Sequence, residues 1–452
     1  MGRPNQELFL SRVPHPINQA YPTFMIYLYN MVLIAGALVS SPYWALRILF
    51  TPKYRKNFVQ RFGYYPQEIQ NQLQGKNPLW IHAVSVGETL TAIILVKEIK
   101  KKYPDLPILI SNVTVTGHQI SQQNESLFAG IIYFPLDFPW IVAKSLDIFT
   151  PKALVIMETE LWPNFLSAAK GRNIPIVLAN GRLSDKSVGR YAKIKKLVCS
   201  ITACFDALLM QSEEDARRME QIGGEPGRIQ VTGNLKFDIN PPHPSGSEIQ
   251  SLRVQFGLEG KPKEVLVAGS THPGEEEDIL RALKFLKERF PKFTLILAPR
   301  HPERADEVEK LIEQWGFTSI RRSLMKPDAS YQRDVFLIDT VGELSRLYQL
   351  GQVAFVGGSL IPKGGHNVLE PAILEKPVIF GHFMHNFRDS AELLLSSDGG
   401  VLVKSGPELP LILEQLYLNP QEANQRGKKG AAAVRANSGA TLKTLAAIEK
   451  YF

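Results

Sequence analysis

The chain is 452 residues long, 44% hydrophobic and 21% charged, enough for two domains with real cores and unlike a disordered chain. Its two cysteines, Cys199 and Cys204, stand in no metal or redox spacing, which argues against a disulfide framework and for a reducing compartment. The net charge of +8 suits work near anionic phosphates. No base-reading motif accompanies it, so the expected partner is a phosphate-rich small molecule or a lipid surface and not nucleic acid.

Residues 1–22 form an N-terminal extension to which the sequence assigns no role. Between Val13 and Leu46 there is no Lys, Arg, Asp or Glu. The strongest apolar part, Phe24 to Leu46, exceeds the roughly 20 residues a helix needs to cross a bilayer core. Tyr27, Tyr29, Tyr43 and Trp44 lie toward its ends as interfacial aromatics do, whereas Asn30 and the Ser40-Ser41-Pro42 run weaken it. This predicts a membrane-anchor helix over 23–50, spanning or interfacial. Arg47, Lys53, Arg55, Lys56 and Arg61 follow it, against Arg3 and Arg12 before it, which puts the remaining chain on the cytoplasmic side. A buried helical hairpin is the plainer alternative.

Past Gly75, short β-branched runs alternate with helical-period stretches. The first series is Pro78–Val84, Pro107–Ser111, Ile131–Phe134, Ala153–Met157, Ile174–Ala179, Ala207–Met210 and Ile229–Val231. The second is Glu264–Ala268, Phe293–Ala298, Val335–Ile338, Val353–Val356, Pro377–Phe380 and Val401–Val403. Bounded apolar runs of this kind read as buried parallel strands. The pattern predicts two Rossmann-like, doubly wound α/β domains facing a cleft, over 51–239 and 251–452. The NPPHPSGS stretch lies in the predicted linker, 240–250, and the last helices are expected to pack back across the junction.

Strand ends carry the chemistry, because ligands bind there in open α/β sheets. SVGE places Ser85, Gly87 and Glu88 in a strand-to-helix turn. Glu88 stands three residues after Ser85, so it is either a capping-box residue or a general base for a substrate hydroxyl, and Gly87 permits close approach. NVTVTGHQ repeats that layout. ETELWPN carries Glu158 and Glu160, either solvated or lining a cleft. NGRLS brings Arg182 to the same rim, and GNLKFD brings Lys236 just before the linker. In the second half the acidic run of GSTHPGEEE is accounted for by the helix dipole. APRHPER sets Arg300 and His301 at a strand end, suited to a phosphate. DTVGEL closes the next strand with a glycine turn. GGSLIPKGGHNVLEPA, with Gly364, Gly365, Asn367 and Glu370, offers backbone donors for an anion and a carboxylate for a ribose, against the plain reading of a tight turn. His272, His301, His366, His382 and His385 lie scattered at strand ends, and no metal-ligand spacing occurs, so no metal is expected.

From Met25 to the C-terminus the apolar anchor and, in order, HAVSVGE, NVTVTGHQ, METELWPN, NGRLS, GNLKFD, GSTHPGEEE, APRHPER and GGHNVLEPA resemble the bacterial 3-deoxy-D-manno-octulosonic acid (Kdo) transferases that glycosylate lipid A. The resemblance implies the GT-B fold, CMP-Kdo as donor, a lipid A precursor (lipid IVA) as acceptor, an inner-membrane location and metal-independent, inverting transfer without a cofactor. It implies Glu88 as proton acceptor and Glu158 with Lys236 as transition-state stabilisers. Pro299 and Arg300, then Gly342, Glu343 and Leu344, then Asn367, Val368, Leu369 and Glu370 are similar to the family's CMP-binding set. The chain departs from the pattern in its first twenty or so residues and at Gly181, where alanine is expected. Two other readings stay open: a GT-B enzyme of lipid A assembly using a UDP-sugar, and a noncatalytic membrane-anchored nucleotide-sugar-binding protein.

Overall fold

A computed structural model of the chain describes residues 23–50, 57–238, 245–259, 264–326 and 329–452. The extension at 1–22 and Lys53, Arg55 and Lys56 lie outside these residues, as do positions 240–244 of the expected linker. The chain divides into two compact units, Met1–Thr232 with Leu442–Phe452, and Gly233–Thr441. The division therefore falls before the expected linker. Residues 246–250, read as part of that linker, begin the helix Gly246–Gln255, which a Ser245/Glu248 capping box starts. The local cap outweighs the Pro- and Gly-rich composition.

In the first unit α1 (Thr23–Phe50) precedes seven strands: β1 Leu79–His82, β2 Ile108–Asn112, β3 Gly130–Tyr133, β4 Ala153–Met157, β5 Ile176–Gly181, β6 Ala207–Met210 and β7 Ile229–Val231. They form one sheet in the order β3-β2-β1-β4-β5-β6-β7, with parallel pairing throughout. Every residue of β1, β2, β4, β5 and β6 is buried, as expected of strands covered by helices on both faces. Trp80, Phe149 and Phe165 anchor the core.

The second unit has β8 Val265–Thr271, β9 Thr294–Pro299, β10 Ser319–Arg321, β11 Val335–Leu337, β12 Val353–Val356, β13 Val378–Gly381 and β14 Gly400–Val403. Its sheet order is β10-β11-β9-β8-β12-β13-β14, again parallel. The edge strand β10 is only half-buried, and its Ser-Ile-Arg sequence carries no strand signal. The last helix, Ala440–Ile448, starts on Asp238 of GNLKFD, whose carboxylate accepts the Gly439 and Thr441 N–H groups.

Strand order reverses at β1/β4 in the first sheet and at β8/β12 in the second. Each reversal opens a crevice at the carboxyl ends of the strands. Three non-glycine residues adopt left-handed backbone at such ends: Glu158 after β4 (φ 54), Asn180 in β5 (φ 57) and Ser270 in β8 (φ 56). Asn180 and Ser270 fall within register shifts of their strands, where a bulge re-aims the chain.

Candidate active site

The β1/β4 reversal of the first unit brings SVGE and ETELWPN together. Ser85 is the N-cap of the helix Val86–Lys102, accepting the Glu88 N–H. Glu88 is buried, 6% exposed. Its Oε2 accepts the Val84 N–H at 2.8 Å and its Oε1 accepts the Ser85 hydroxyl at 2.8 Å. Glu88 thus braces the Ser85 cap and the Val84 N–H that leads into it, and presents a carboxylate at the sheet edge. Burial raises its pKa, and the nearby Glu158 charge raises it further, while the bonds from Val84 and Ser85 oppose both. Each carboxylate oxygen keeps acceptor capacity beyond the single bond it makes. A β-carbon at Gly87 would meet nothing nearer than the Ser85 hydroxyl at 4.0 Å, so no protein neighbour requires glycine there.

Glu160 joins this pair. Burial first, and then the Glu88 and Glu158 charges, push its carboxyl up to about 7. With its carboxyl near 7, Glu160 holds a proton over part of the neutral range, because a second charge beside it in a desolvated site is costly. The ETELW turn is fastened to NGRLS, with the Arg182 N–H donating to the Thr159 hydroxyl at 3.1 Å and that hydroxyl bonding the Arg182 carbonyl. This places Arg182 beside the turn that carries Glu158 and Glu160. The helix Pro163–Gly171 has no side-chain cap of its own; buried Asp137 accepts the Asn164 and Phe165 N–H groups in its place. At Gly181 an alanine β-carbon would lie 2.7 Å from the Met210 sulfur. His82, also in this region, is a core residue: burial drives its pKa down to about 3, and its ring stacks on Phe134.

Glu160 gives a stability test with a definite sign. Its folded pKa of about 7 lies above its ordinary 4.5, so the folded protein binds the proton more tightly. Stability falls as pH rises through that window. Glu160→Gln is expected to be more stable than the parent at pH 8 by roughly 1–3 kcal/mol and equal to it at pH 4. Denaturant unfolding at the two pH values checks this, and equal stabilities at pH 8 would refute the burial argument.

In the second unit the β8/β12 reversal is organised by a residue that the helix-dipole argument undervalued. Glu275 is fully buried. Its carboxylate accepts four backbone N–H groups: His272 at 3.1 Å, Gly358 at 2.7 Å, Ser359 at 3.0 Å and Leu360 at 2.9 Å. The first amides of the glycine-rich loop are therefore committed to an internal anion. Glu276, also buried, pairs with Arg304 at 2.9 Å. Gly357 is required here, since a β-carbon would lie 2.5 Å from the Ser270 carbonyl and 2.7 Å from the Thr271 Cα. Gly364 (φ 98) and Gly365 (φ 75) are left-handed and packed against Asn386 and Met384. The tight-turn reading accounts for both.

Three of the five strand-end histidines come together, while His382 and His385 stand apart from them. His272 and His366 share an Nε2–Nε2 hydrogen bond of 2.9 Å with rings 6° from parallel, and His301 meets His272 edge-on. Burial, then the neighbouring cationic groups including Arg300, lower both partners to about 4. The pair is neutral at pH 7, one ring donating and the other accepting. Pro299 ends β9, and the exposed Arg300 follows it, its N–H held by the Thr271 carbonyl. His301 is turned to Glu303 at 3.3 Å.

Two further motifs meet at Glu370. Its Oε2 accepts the Ser345 hydroxyl at 2.7 Å, and its Oε1 accepts the Asn367 amide at 3.2 Å, while Asn367 Oδ1 accepts the Leu369 N–H at 3.1 Å. Ser345 directly follows Gly342, Glu343 and Leu344, so that turn and Asn367–Glu370 form one cluster. Gly342 is left-handed and open, and the Glu343 carboxylate is occupied by Arg322 at 2.7 Å. Val368 and Leu369 are buried beneath. Lys236 sits in the turn Leu235–Phe237, its N–H bonded to Asn234 Oδ1 at 3.0 Å. It groups with the second unit, against the expectation that it closes the first. Among the described residues no group of three or more His, Cys, Asp or Glu is placed to hold a metal ion.

Comparisons with known proteins agree with these motifs. A family described as "3-Deoxy-D-manno-octulosonic-acid transferase (kdotransferase)" matches residues 56–239. The chain is 35% identical over 427 residues to the 3-deoxy-D-manno-octulosonic acid transferase of Haemophilus influenzae, covering 93% of this chain and 97% of that one. Among solved structures, the C-terminal CMP-Kdo binding domain of WaaA from Acinetobacter baumannii is 32% identical (TM-score 0.39), over 42% of this chain and 97% of that one. The UDP-GlcNAc 2-epimerase of Neisseria meningitidis is similar at TM-score 0.50 and 14% identity, over 82% of this chain and 100% of that one. At that identity the likeness is to the fold alone. The two parallel-sheet units have the GT-B fold, and the chain belongs to the 3-deoxy-D-manno-octulosonic acid transferase family of glycosyltransferases.

Proposed function

We propose that this protein transfers Kdo from CMP-Kdo to a lipid A precursor at the cytoplasmic face of the inner membrane, with inversion and without a metal or other cofactor. The observation that carries the reading is Glu88: a buried carboxylate, raised in pKa, bracing a helix cap at the β1/β4 reversal beside two other carboxylates. In this reading the first unit is the acceptor side, and the second unit, which carries Lys236 and Arg300, is the CMP-Kdo side. The acceptor hydroxyl attacks the Kdo anomeric carbon while Glu88 takes its proton. The bond from that carbon to the CMP phosphate oxygen breaks, and CMP leaves with the electron pair. Glu158 supports the positive charge that develops on the sugar, as carboxylates do in glycoside chemistry. Lys236 and Arg300 stabilise the departing phosphate in the role a metal plays elsewhere. Glu370, held by Ser345 and Asn367, is positioned for the ribose, and the neutral His272–His366 pair beside Arg300 offers an N–H to an anion. The N-terminal helix α1 holds the protein at the membrane; Phe24–Trp44 within it is apolar and long enough to cross one.

The test is mass spectrometry of a lipid A precursor incubated with CMP-Kdo and the purified protein. Products heavier by whole Kdo residues, formed equally in EDTA, are expected. CMP should also protect the protein from thermal unfolding and UDP should not. No mass increase, or protection by UDP instead, would remove this reading in favour of another donor.

A further inference from the structure

The contacts of α1 bear on how it meets a membrane. It is 28 residues long, about 42 Å at 1.5 Å per residue. Two polar residues near its N-terminal end are tied to the first unit. The Tyr29 hydroxyl donates to Asp137 Oδ2 at 2.9 Å, and the Asn164 amide donates to Asn30 Oδ1 at 2.6 Å. Met25, one turn earlier, packs against the same unit's core. Asp137 and Asn164 are themselves buried and belong to the cap of the helix Pro163–Gly171.

The half-buried residues of α1 keep to one face. Met25, Ile26, Tyr29, Asn30, Leu33, Ala37 and Ser40 are partly covered, a spacing of three to four that selects a single stripe. The opposite stripe is apolar and open, with Phe24 74%, Met31 68%, Leu38 69% and Val39 83% exposed. At the C-terminal end Arg47 lies over Tyr43 and Trp44, the aromatic and cationic pairing that suits a headgroup layer. Exposed Trp140 stands three residues beyond Asp137 and stacks on Phe138.

These ties are incompatible with a helix that crosses the bilayer. The chain enters the body from the C-terminal end of α1. Tyr29 lies 21 residues before Phe50, about 32 Å along the axis, which is the thickness of the hydrocarbon core. A crossing helix would carry Tyr29 and Asn30 to the far leaflet, out of reach of Asp137 and Asn164. We infer that α1 lies in the plane of one leaflet, with its Tyr29/Asn30 stripe on the protein and its Phe24/Met31/Leu38 stripe in lipid, so that both ends of the helix are on the side of the body. An in-plane helix sinks its apolar face roughly 5–10 Å into the headgroup boundary. A bilayer leaflet is the occupant that fits, because the open stripe is uniformly apolar while aromatic and cationic groups mark its end.

The inference rests on the membrane reading above, and one experiment separates the two. The full chain is made in a Gram-negative host with one epitope at its N-terminus and another at its C-terminus, and proteinase K is added to spheroplasts and to inverted inner-membrane vesicles. Both epitopes are expected to survive in spheroplasts and to be lost together in inverted vesicles. Loss of the N-terminal epitope alone in spheroplasts would establish a crossing helix and overturn the in-plane placement, leaving the membrane reading intact. Recovery of the protein in the soluble fraction, as a monomer or as a dimer closed over this face, would overturn both.

Discussion

Glu88→Gln is expected to fold like the parent and to lose Kdo transfer by about 10²–10⁴-fold in kcat, the usual worth of a general base. Glutamine keeps a carbonyl oxygen for the Val84 N–H, and the Ser85 hydroxyl can turn to accept from the new amide. The helix Val86–Lys102 therefore keeps its start while the proton acceptor is gone. Glu88→Ala removes the proton acceptor and also the partner of the Val84 N–H and the Ser85 hydroxyl, at a cost of about 1–3 kcal/mol. The two variants should share the activity loss and differ in thermal midpoint. A Glu88→Gln protein that transfers near the parent rate would assign the base elsewhere, with Glu160 the first alternative.

Glu275→Gln is expected to cost the second unit about 2–5 kcal/mol. Four backbone N–H groups converge on the Glu275 carboxylate. One amide oxygen can serve about two of them, and the new NH₂ faces donors. Each buried N–H left unsatisfied costs about 1–3 kcal/mol, a large share of a typical stability of about 5–15 kcal/mol. The loop from Gly357 to His366 would lose its mould, so the variant should unfold at lower denaturant than the parent and lose its protection by CMP. Denaturant unfolding with and without CMP measures both. A variant that unfolds with the parent and keeps its CMP protection would mean that the loop is shaped by its glycines alone.

Much of this was legible in the sequence because the decisive signals are local. Buried parallel strands such as Ala153–Met157 and Val353–Val356 are continuous apolar runs, and burial on both faces is what their composition records. The edge strand Ser319–Arg321 is half-exposed and left no such record. Glu88, Glu158 and Glu160 sit within a few residues of their strand ends, so topology alone brought them to one reversal. What was missed depends on distant partners. Glu275 is held by residues 83 to 85 positions away, and His272 meets His366 across 94. In sequence each looks like a helix-start acid or an isolated histidine. The division between units was misplaced for a related reason: Pro and Gly mark irregular chain, not where contacts thin out. Lys236, which composition sets just before the linker, groups with the second unit by its contacts.

The left-handed backbone at Glu158 has an evolutionary side. A residue with a β-carbon gives up roughly 1 kcal/mol or more in that conformation, and glycine or asparagine would relieve it. Fold stability thus pulls this position toward glycine, while the proposed chemistry holds it at glutamate. Selection for heat resistance alone would erode the carboxylate without disturbing the sheet. Glycine at position 158 is therefore the substitution that would exchange the proposed chemistry for backbone relief.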